Sequence, residues 1–258
     1  MDTTIINLGT ILSVWAHPDD ETYLAGGLMA AAVDSGQRVV CVTATAGERG
    51  TGDPETWPPS RLGRVRSLEA TAAMAVLGVT EHHVLGLPDG ELAEHADEGT
   101  ALVGQLLDQV RPDTVVTFGP DGITFHPDHI AVHRWVRDAC EQRGWPARLL
   151  HATWTAEHLA RFGHLHEELG IYMSDARPAG VPAGQLSVHL RLDESALDRK
   201  LVALRAMATQ TAPLFDAIGA DLYAAQVTEE SFVDAPTSTT NDTARTALAD
   251  RVAVSSYI

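Results

Sequence analysis

The sequence is poor in cysteine, in aromatic residues and in positive charge. Cysteine occurs only at Cys41 and Cys140, which excludes a disulfide framework and a thiolate metal site and points to a reducing compartment. Cys41 lies inside the apolar run 39–42 and reads as a small buried hydrophobe. The apolar stretch 5–16 is interrupted by Asn7, Gly9, Thr10 and Ser13, and no basic residues precede it. Neither a signal peptide nor a membrane span is therefore expected, and the expected location is cytoplasmic. Basic residues number 18 against 35 acidic ones, for a formal net charge of -17. A chain so acidic is repelled by phosphate backbones and anionic lipid, which excludes nucleic acid as the main partner. What is present is a chain of 258 residues, 45% hydrophobic, long enough to bury the core of a large α/β domain. Its 12 histidines exceed what packing requires.

Hydrophobic patterning alternates between two periods over the first 150 residues. Buried strands are expected at 10–16 and 38–45, a short strand at 82–85, and further strands at 113–118 and 148–154. Helical patterns fall between and after them, at 21–35, 60–77, 98–110 and 127–143, with Gly78 placed to stop the second. Such alternation predicts a Rossmann-like, three-layer α/β/α domain with a mostly parallel sheet. The later part is less regular: a helix at 156–169, a turn-rich stretch at 176–184, an alternating strand at 185–192, and a helix capped by Asp193 and running to about Gln210. Residues 1–234 are expected to form the domain, and 235–258 a Ser/Thr-rich extension or docking arm.

Two constellations fall at strand ends, where open α/β sheets bind their ligands. The first is Ala16-His17-Pro18-Asp19-Asp20-Glu21, directly after the first strand. Pro18 stiffens the turn so that His17 and Asp20 can converge while Asp19 faces elsewhere. The second is Phe125-His126-Pro127-Asp128-His129, after the fourth strand, with Pro127 at the first helical position, where its missing amide costs nothing. A metal site explains both at once: His17, Asp20 and one or two histidines of the second motif would supply a 2-His-1-carboxylate set. Three protein ligands with an open position suit Zn(II), and equally Fe(II).

These residues carry a resemblance. The sequence resembles the PIG-L/LmbE-like family of zinc-dependent N-acetylglucosaminyl de-N-acetylases through the two motifs above. The likeness continues through Gly47-Glu48-Arg49-Gly50-Thr51, Arg66-Ser67-Leu68-Glu69 and Leu85-Gly86-Leu87-Pro88-Asp89-Gly90, and covers about the first 150 residues well. The resemblance implies metal ligation by His17, Asp20 and His129, and Asp19 as general base toward the attacking water. It implies that His126 stabilises the oxyanion and assists proton return to the departing amine, and that Asp128 orients His126 and keeps it protonated. It further implies that Arg66 reaches toward the sugar or its substituent and that Asp89 accepts hydrogen bonds from sugar hydroxyls. The ordinary alternatives are a surface pair of Arg66 with Glu69 and a turn-forming Asp89. Phe125 stands where family members usually have Gly, no Tyr precedes the second motif, and Met207 replaces a common His.

The expected activity is hydrolysis of an N-acyl group, acetyl in the first instance, from an amino-sugar conjugate as small-molecule partner. A homo-oligomer is left open. Competing readings are a metal-dependent amidase on a non-sugar molecule, a metal phosphoesterase, and a non-catalytic sugar- or metal-binding protein. The cluster His158, His164 and His166 is expected to be a solvated helix face.

Overall fold

A computed structural model of the chain describes residues 7–145 and 147–236. The expected extension from 235 onward falls, beyond Pro236, outside the described residues. Five fully buried residues form the central strand β1 (Ile11–Trp15). It is followed by α1 (Asp20–Asp34), β2 (Val39–Thr43), α2 (Pro59–Leu77) and β3 (Glu81–Val84), then α3 (Ala96–Val110), β4 (Thr114–Phe118) and α4 (Pro127–Gln142). The remainder is β5 (Arg148–Thr153), α5 (Ala156–Glu168), β6 (Val188–Arg191), α6 (Glu194–Ala206), α7 (Ala208–Ile218), α8 (Ala220–Gln226) and β7 (Glu229–Asp234).

The sheet order is β3-β2-β1-β4-β5-β7-β6. The first five strands pair in parallel, while β7 is antiparallel to both β5 and β6. Helices α1, α2 and α6 pack together, and α3 packs on α4, giving the helix layers on either side of the sheet that short right-handed crossovers impose. The buried strands read as continuous apolar runs because both faces are covered. The α2 helix ends where expected, at Gly78 with φ 84, whose N–H returns to Ala75 and Met74.

Two features differ from expectation. The helix that Asp193 caps stops at Ala206: Met207 leaves helical geometry at ψ 52 with its side chain fully buried. A new helix, α7, starts behind it, and Glu69 of α2 accepts from both the N–H and the hydroxyl of Thr209 in its first turn. Glu69 is thus a cap for another helix and not a surface partner of Arg66. The second is β7, inserted between β5 and β6. Its Glu230 forms a 2.6 Å ion pair with Lys200, both side chains wholly buried. Glu230 also accepts the N–H groups of Gly27 and Leu28, while Lys200 donates to the Tyr23 carbonyl. The pair splices into α1 at Gly27, where a Cβ would push on the end of the Leu192 side chain and crowd Glu230. Among the described residues, no helix is long and apolar enough to cross a membrane.

Candidate metal centre

Strands β1 and β4 are neighbours in the sheet, but the chain leaves them in opposite directions, β1 toward β2 and β4 toward β5. Their carboxyl ends therefore bound the crevice where helix layers diverge, and the two His-Pro-Asp turns meet across it. Asp19 is the residue before α1 and holds φ 133, a conformation that costs of order 1–3 kcal/mol. Its carbonyl accepts from Thr22 and Tyr23, and its N–H donates to Glu21 at 3.2 Å. The loop before α4 is strained too. Ile123 and Phe125 have φ 66 and 61, so Phe125 occupies a left-handed position that favours glycine.

Three donors converge. His17 Nδ1 lies 3.4 Å from Asp20 Oδ2 and 3.2 Å from His129 Nε2, and His129 Nε2 lies 3.3 Å from Asp20 Oδ1. Hydrogen bonding fixes which nitrogens face the centre. His129 Nδ1 donates to the Gly122 carbonyl at 2.9 Å. His17 Nε2 faces Asp89 Oδ1 and Asp128 Oδ2, each at 3.2 Å. His17 Nδ1 and His129 Nε2 therefore face one another and a carboxylate. Against its burial, Asp128, Asp20 and Asp89 raise the His17 pKa well above the ordinary value, and a cation at the centre would take the place of the Nδ1 proton. Separations of about 3.3–3.4 Å are the edges of a tetrahedron with ligand bonds of about 2.0–2.1 Å. The donor set fits a small divalent ion. His17, His126 and His129 bring nitrogens within 4.8 Å of one another, and His17, Asp89 and Asp128 form another group that shares His17, but the carboxylates of the latter are committed to amides, Asp128 to Gly90 and Leu92 and Asp89 to Arg49. Their place is behind His17, holding its ring.

Electrostatics separates the two adjacent aspartates. Asp20 is buried, yet His129 and His17 hold its carboxyl well below the usual range. Asp19 is pushed up to about 7 by burial and by Asp20, against the pull of Arg66 and His17. The Arg66 guanidinium lies 3.9 Å from Asp19 and also donates to the Gly47 carbonyl. Below Asp19, Glu21 is wholly buried and raised to about 8 by burial and by the charge of Asp19. Burial lowers His129 to about 4, which keeps its ring neutral for ligation.

Several placements differ from what the resemblance implied. The carboxylate of Asp128 does not contact His126; two amides and His17 claim it, and the Asp128 backbone N–H donates to His126 Nδ1 at 3.1 Å. The proton of a neutral His126 is thereby placed on Nε2. Its ring stacks on His129 with centroids 4.8 Å apart, and burial and His17 lower its pKa despite the pull of Asp128, Asp20 and Asp89. Arg66 is 5% exposed and Asp89 6%, so both lie beneath the site surface. The loop crosses Arg66 at Gly47, with φ 63, where a Cβ would overlap the guanidinium. Glu21, the last residue of the first motif, went unassigned in the sequence, although an acid ending a buried strand's turn is the signal that could have marked it. His158 and His166 are buried against Trp154, with ring centroids 5.6 and 4.6 Å away; only His164 of that trio faces solvent.

Comparison with known proteins adds the family and the fold. The family model described as GlcNAc-PI de-N-acetylase, PIG-L, matches residues 12–140, a span that contains both metal motifs. The chain is 35% identical over 230 residues to a 1D-myo-inositol 2-acetamido-2-deoxy-alpha-D-glucopyranoside deacetylase of Mycobacterium sp. strain KMS, covering 78% of this chain and 73% of that one. Among solved structures, N,N'-diacetylchitobiose deacetylase from Pyrococcus horikoshii superimposes with a TM-score of 0.61 at 21% identity, over 91% of this chain and 88% of the other. The 4-carboxy-2-hydroxymuconate hydratase of Pseudomonas putida shares the fold as well, with a TM-score of 0.59 at 16% identity over 89% and 97% of the two chains. The fold alone therefore does not select a reaction; sequence identity and the matched motifs do select a family, and the chain belongs to the PIG-L family of GlcNAc-PI de-N-acetylases.

Proposed function

We propose that the protein is a metal-dependent hydrolase that cleaves the N-acyl group, acetyl in the simplest case, from an amino sugar or amino-sugar conjugate. The observation that carries this reading is the convergence of His17 Nδ1, Asp20 and His129 Nε2 beside an aspartate of raised pKa. In the reaction, water oxygen adds to the acyl carbon, the C–N bond breaks, and the nitrogen leaves as an amine with the proton taken from water. A zinc or ferrous ion held by the three residues supplies Lewis acidity toward the acyl oxygen and toward water.

The chain's own residues supply the rest. Asp19, with a pKa near 7, accepts the water's proton and is acidic enough to return it to the departing nitrogen. Arg66 limits how far that pKa rises and holds the carboxylate in place. His126, with Nδ1 occupied by an amide, offers Nε2–H as a hydrogen-bond donor to the acyl oxygen as negative charge develops there. Asp89 and Asp128 fix the His17 ring from behind. The inositol-linked acetamido sugar named for the mycobacterial relative is the first substrate to test.

The test is release of primary amine from N-acetylglucosaminides after chelation and again after return of zinc or ferrous ion. Turnover is expected only in the metal-restored protein, and His129→Ala is expected to lose both bound metal and turnover. Amine release that survives complete chelation, or none with any metal on any N-acylglucosaminide, would overturn the reading.

A further inference from the structure

Beside the three converging donors lies a cavity of about 470 Å³. Asp19, Asp20 and His129 form one end of its wall, and Ile123, Trp154, Leu214 and Val227 contribute apolar surface beyond them. Arg66, Asp89 and Arg49 contribute nothing to it. A volume in this range suits a ligand of many heavy atoms, since pockets of about 300–1,000 Å³ bury drug-sized molecules. The methyl of an acetyl group would leave most of it empty.

Many polar side chains that reach the wall are already spent on one another. Glu230 is held by Lys200 and two amides. The hydroxyls of Tyr23 and Tyr223 bond to each other. Gln226 bonds to His166, and Glu229 to Arg191. Thr153, His158, Gln210 and Ser231 reach the wall as well, but most of the surface is apolar, so a sugar, with hydroxyls around its whole ring, would give up more water contacts than it regains. An apolar chain loses nothing polar. The acyl chain and the amine nitrogen are both bonded to the carbon under attack, so both start at the converging donors; the apolar wall of Ile123, Trp154, Leu214 and Val227 is what favours the acyl chain there.

We propose that this cavity receives the acyl chain of the substrate, and that the site hydrolyses amides of apolar acyl groups longer than acetyl, of hexanoyl to octanoyl size. The proposal rests on the hydrolase reading above and adds to it the class of acyl group. The bond formed and the bond broken are unchanged: water oxygen joins the acyl carbon, and a medium-chain carboxylate leaves alongside the amine.

The experiment uses the full chain reloaded with metal and a ladder of glucosaminides carrying acetyl, butanoyl, hexanoyl and octanoyl groups, with amine release as the readout. Each methylene that leaves water for an apolar wall is expected to raise kcat/KM by up to about threefold to fourfold, so hexanoyl should exceed acetyl by about tenfold or more. Leu214→Trp, which fills the cavity from α7, should lower the hexanoyl-to-acetyl ratio about tenfold. The intact protein alone decides the ladder, so a variant that fails to fold does not block the test. Separately, octanoate is titrated against tryptophan fluorescence, because Trp154 lines the cavity. Acetyl turnover with falling rates along the ladder overturns the acyl assignment and leaves the hydrolase reading standing. A rate that rises with an apolar aglycone, and not with the acyl chain, assigns the cavity to the aglycone and overturns the proposal likewise. No amine release from any rung sinks the hydrolase reading; octanoate binding in that case preserves the pocket, and its absence removes the pocket too.

Discussion

The centre of the sheet and its β7/β6 end, the two ends of the site and its cavity, are built on different principles. At the β1/β4 crevice, polar side chains are fixed mostly by backbone: His129 by the Gly122 carbonyl, Asp128 by the amides of Gly90 and Leu92, Asp89 by the amide of Arg49. At the β7/β6 end the wall of the cavity is mainly apolar side chains packing on one another, and backbone enters it chiefly where the buried pair Lys200–Glu230 ties β7 and α6 to the amides and carbonyl of α1. A backbone-held site keeps its geometry when neighbouring side chains change, whereas a side-chain-held wall can be recut for a new ligand. The first end suits chemistry that must stay constant and the second a specificity that can vary.

The sharpest way to break this comparison is to remove the chemistry and leave the frame. Asp19→Asn keeps size and shape but cannot accept a proton. We expect kcat to fall about 10²–10⁴-fold, with metal content and melting temperature near the parent's. A variant turning over at the parental rate would mean that the base lies elsewhere, and that the strained φ of Asp19 serves folding alone.

The next largest effect belongs to the other end. Lys200 is the only lysine in the chain and is wholly buried against Glu230. Lys200→Met leaves a buried carboxylate uncompensated, for a loss of about 3–5 kcal/mol, read from urea unfolding. The double variant Lys200→Met, Glu230→Leu should recover part of that loss, because replacing both charges removes the desolvation cost of each. Unchanged stability in the single variant would show that the pair does not tie β7 to α1.

What could be read from the sequence follows the same division. Residues 11–15 and 114–118 announce themselves as central strands because both faces are covered and nothing polar intervenes, save Ser13 and the threonines of β4. That the two His-Pro-Asp motifs meet was legible because clustered acids and histidines at a buried strand's end have no packing role. Strand β7 was not legible: it begins Glu229-Glu230, and a carboxylate buried by pairing looks, in sequence, like a solvated one. The break at Met207 was hidden for a similar reason, since residues 194–210 keep a helical pattern and only the reach of Glu69 from α2 sets where α7 starts. The buried faces of His158 and His166 depend on Trp154, and no local periodicity encodes that contact. Arg66 and Asp89 were placed near the site, but that the chain buries them under its own loops is a tertiary fact.

A third prediction tests how far Arg66 serves the chemistry from beneath. Its charge lowers the pKa of Asp19. A base works only when deprotonated, so activity should rise with pH through about 7. Arg66→Met removes the lowering influence, and the acidic limb of the kcat/KM profile should move to higher pH, with the rate at neutral pH reduced severalfold. A limb that stays in place or moves down would assign Arg66 to supporting the loop at Gly47 alone.

The smallest effect expected lies where the two ends are joined. Glu69 belongs to α2, in the half that carries the metal motifs, yet it caps α7, which lines the cavity. Glu69→Ala should cost about 1–2 kcal/mol, the value of a lost helix cap, seen as a drop of a few degrees in Tm. Its kinetic signature separates the ends. Loosening α7 should raise KM for a hexanoyl substrate severalfold, because that chain is held by the wall. The kcat for an acetyl substrate should change less, because the donors at β1 and β4 are held by backbone that Glu69 does not touch. Equal losses on both substrates would show that wall and metal centre move as one body, and the division between a fixed chemistry and a variable wall would then fail.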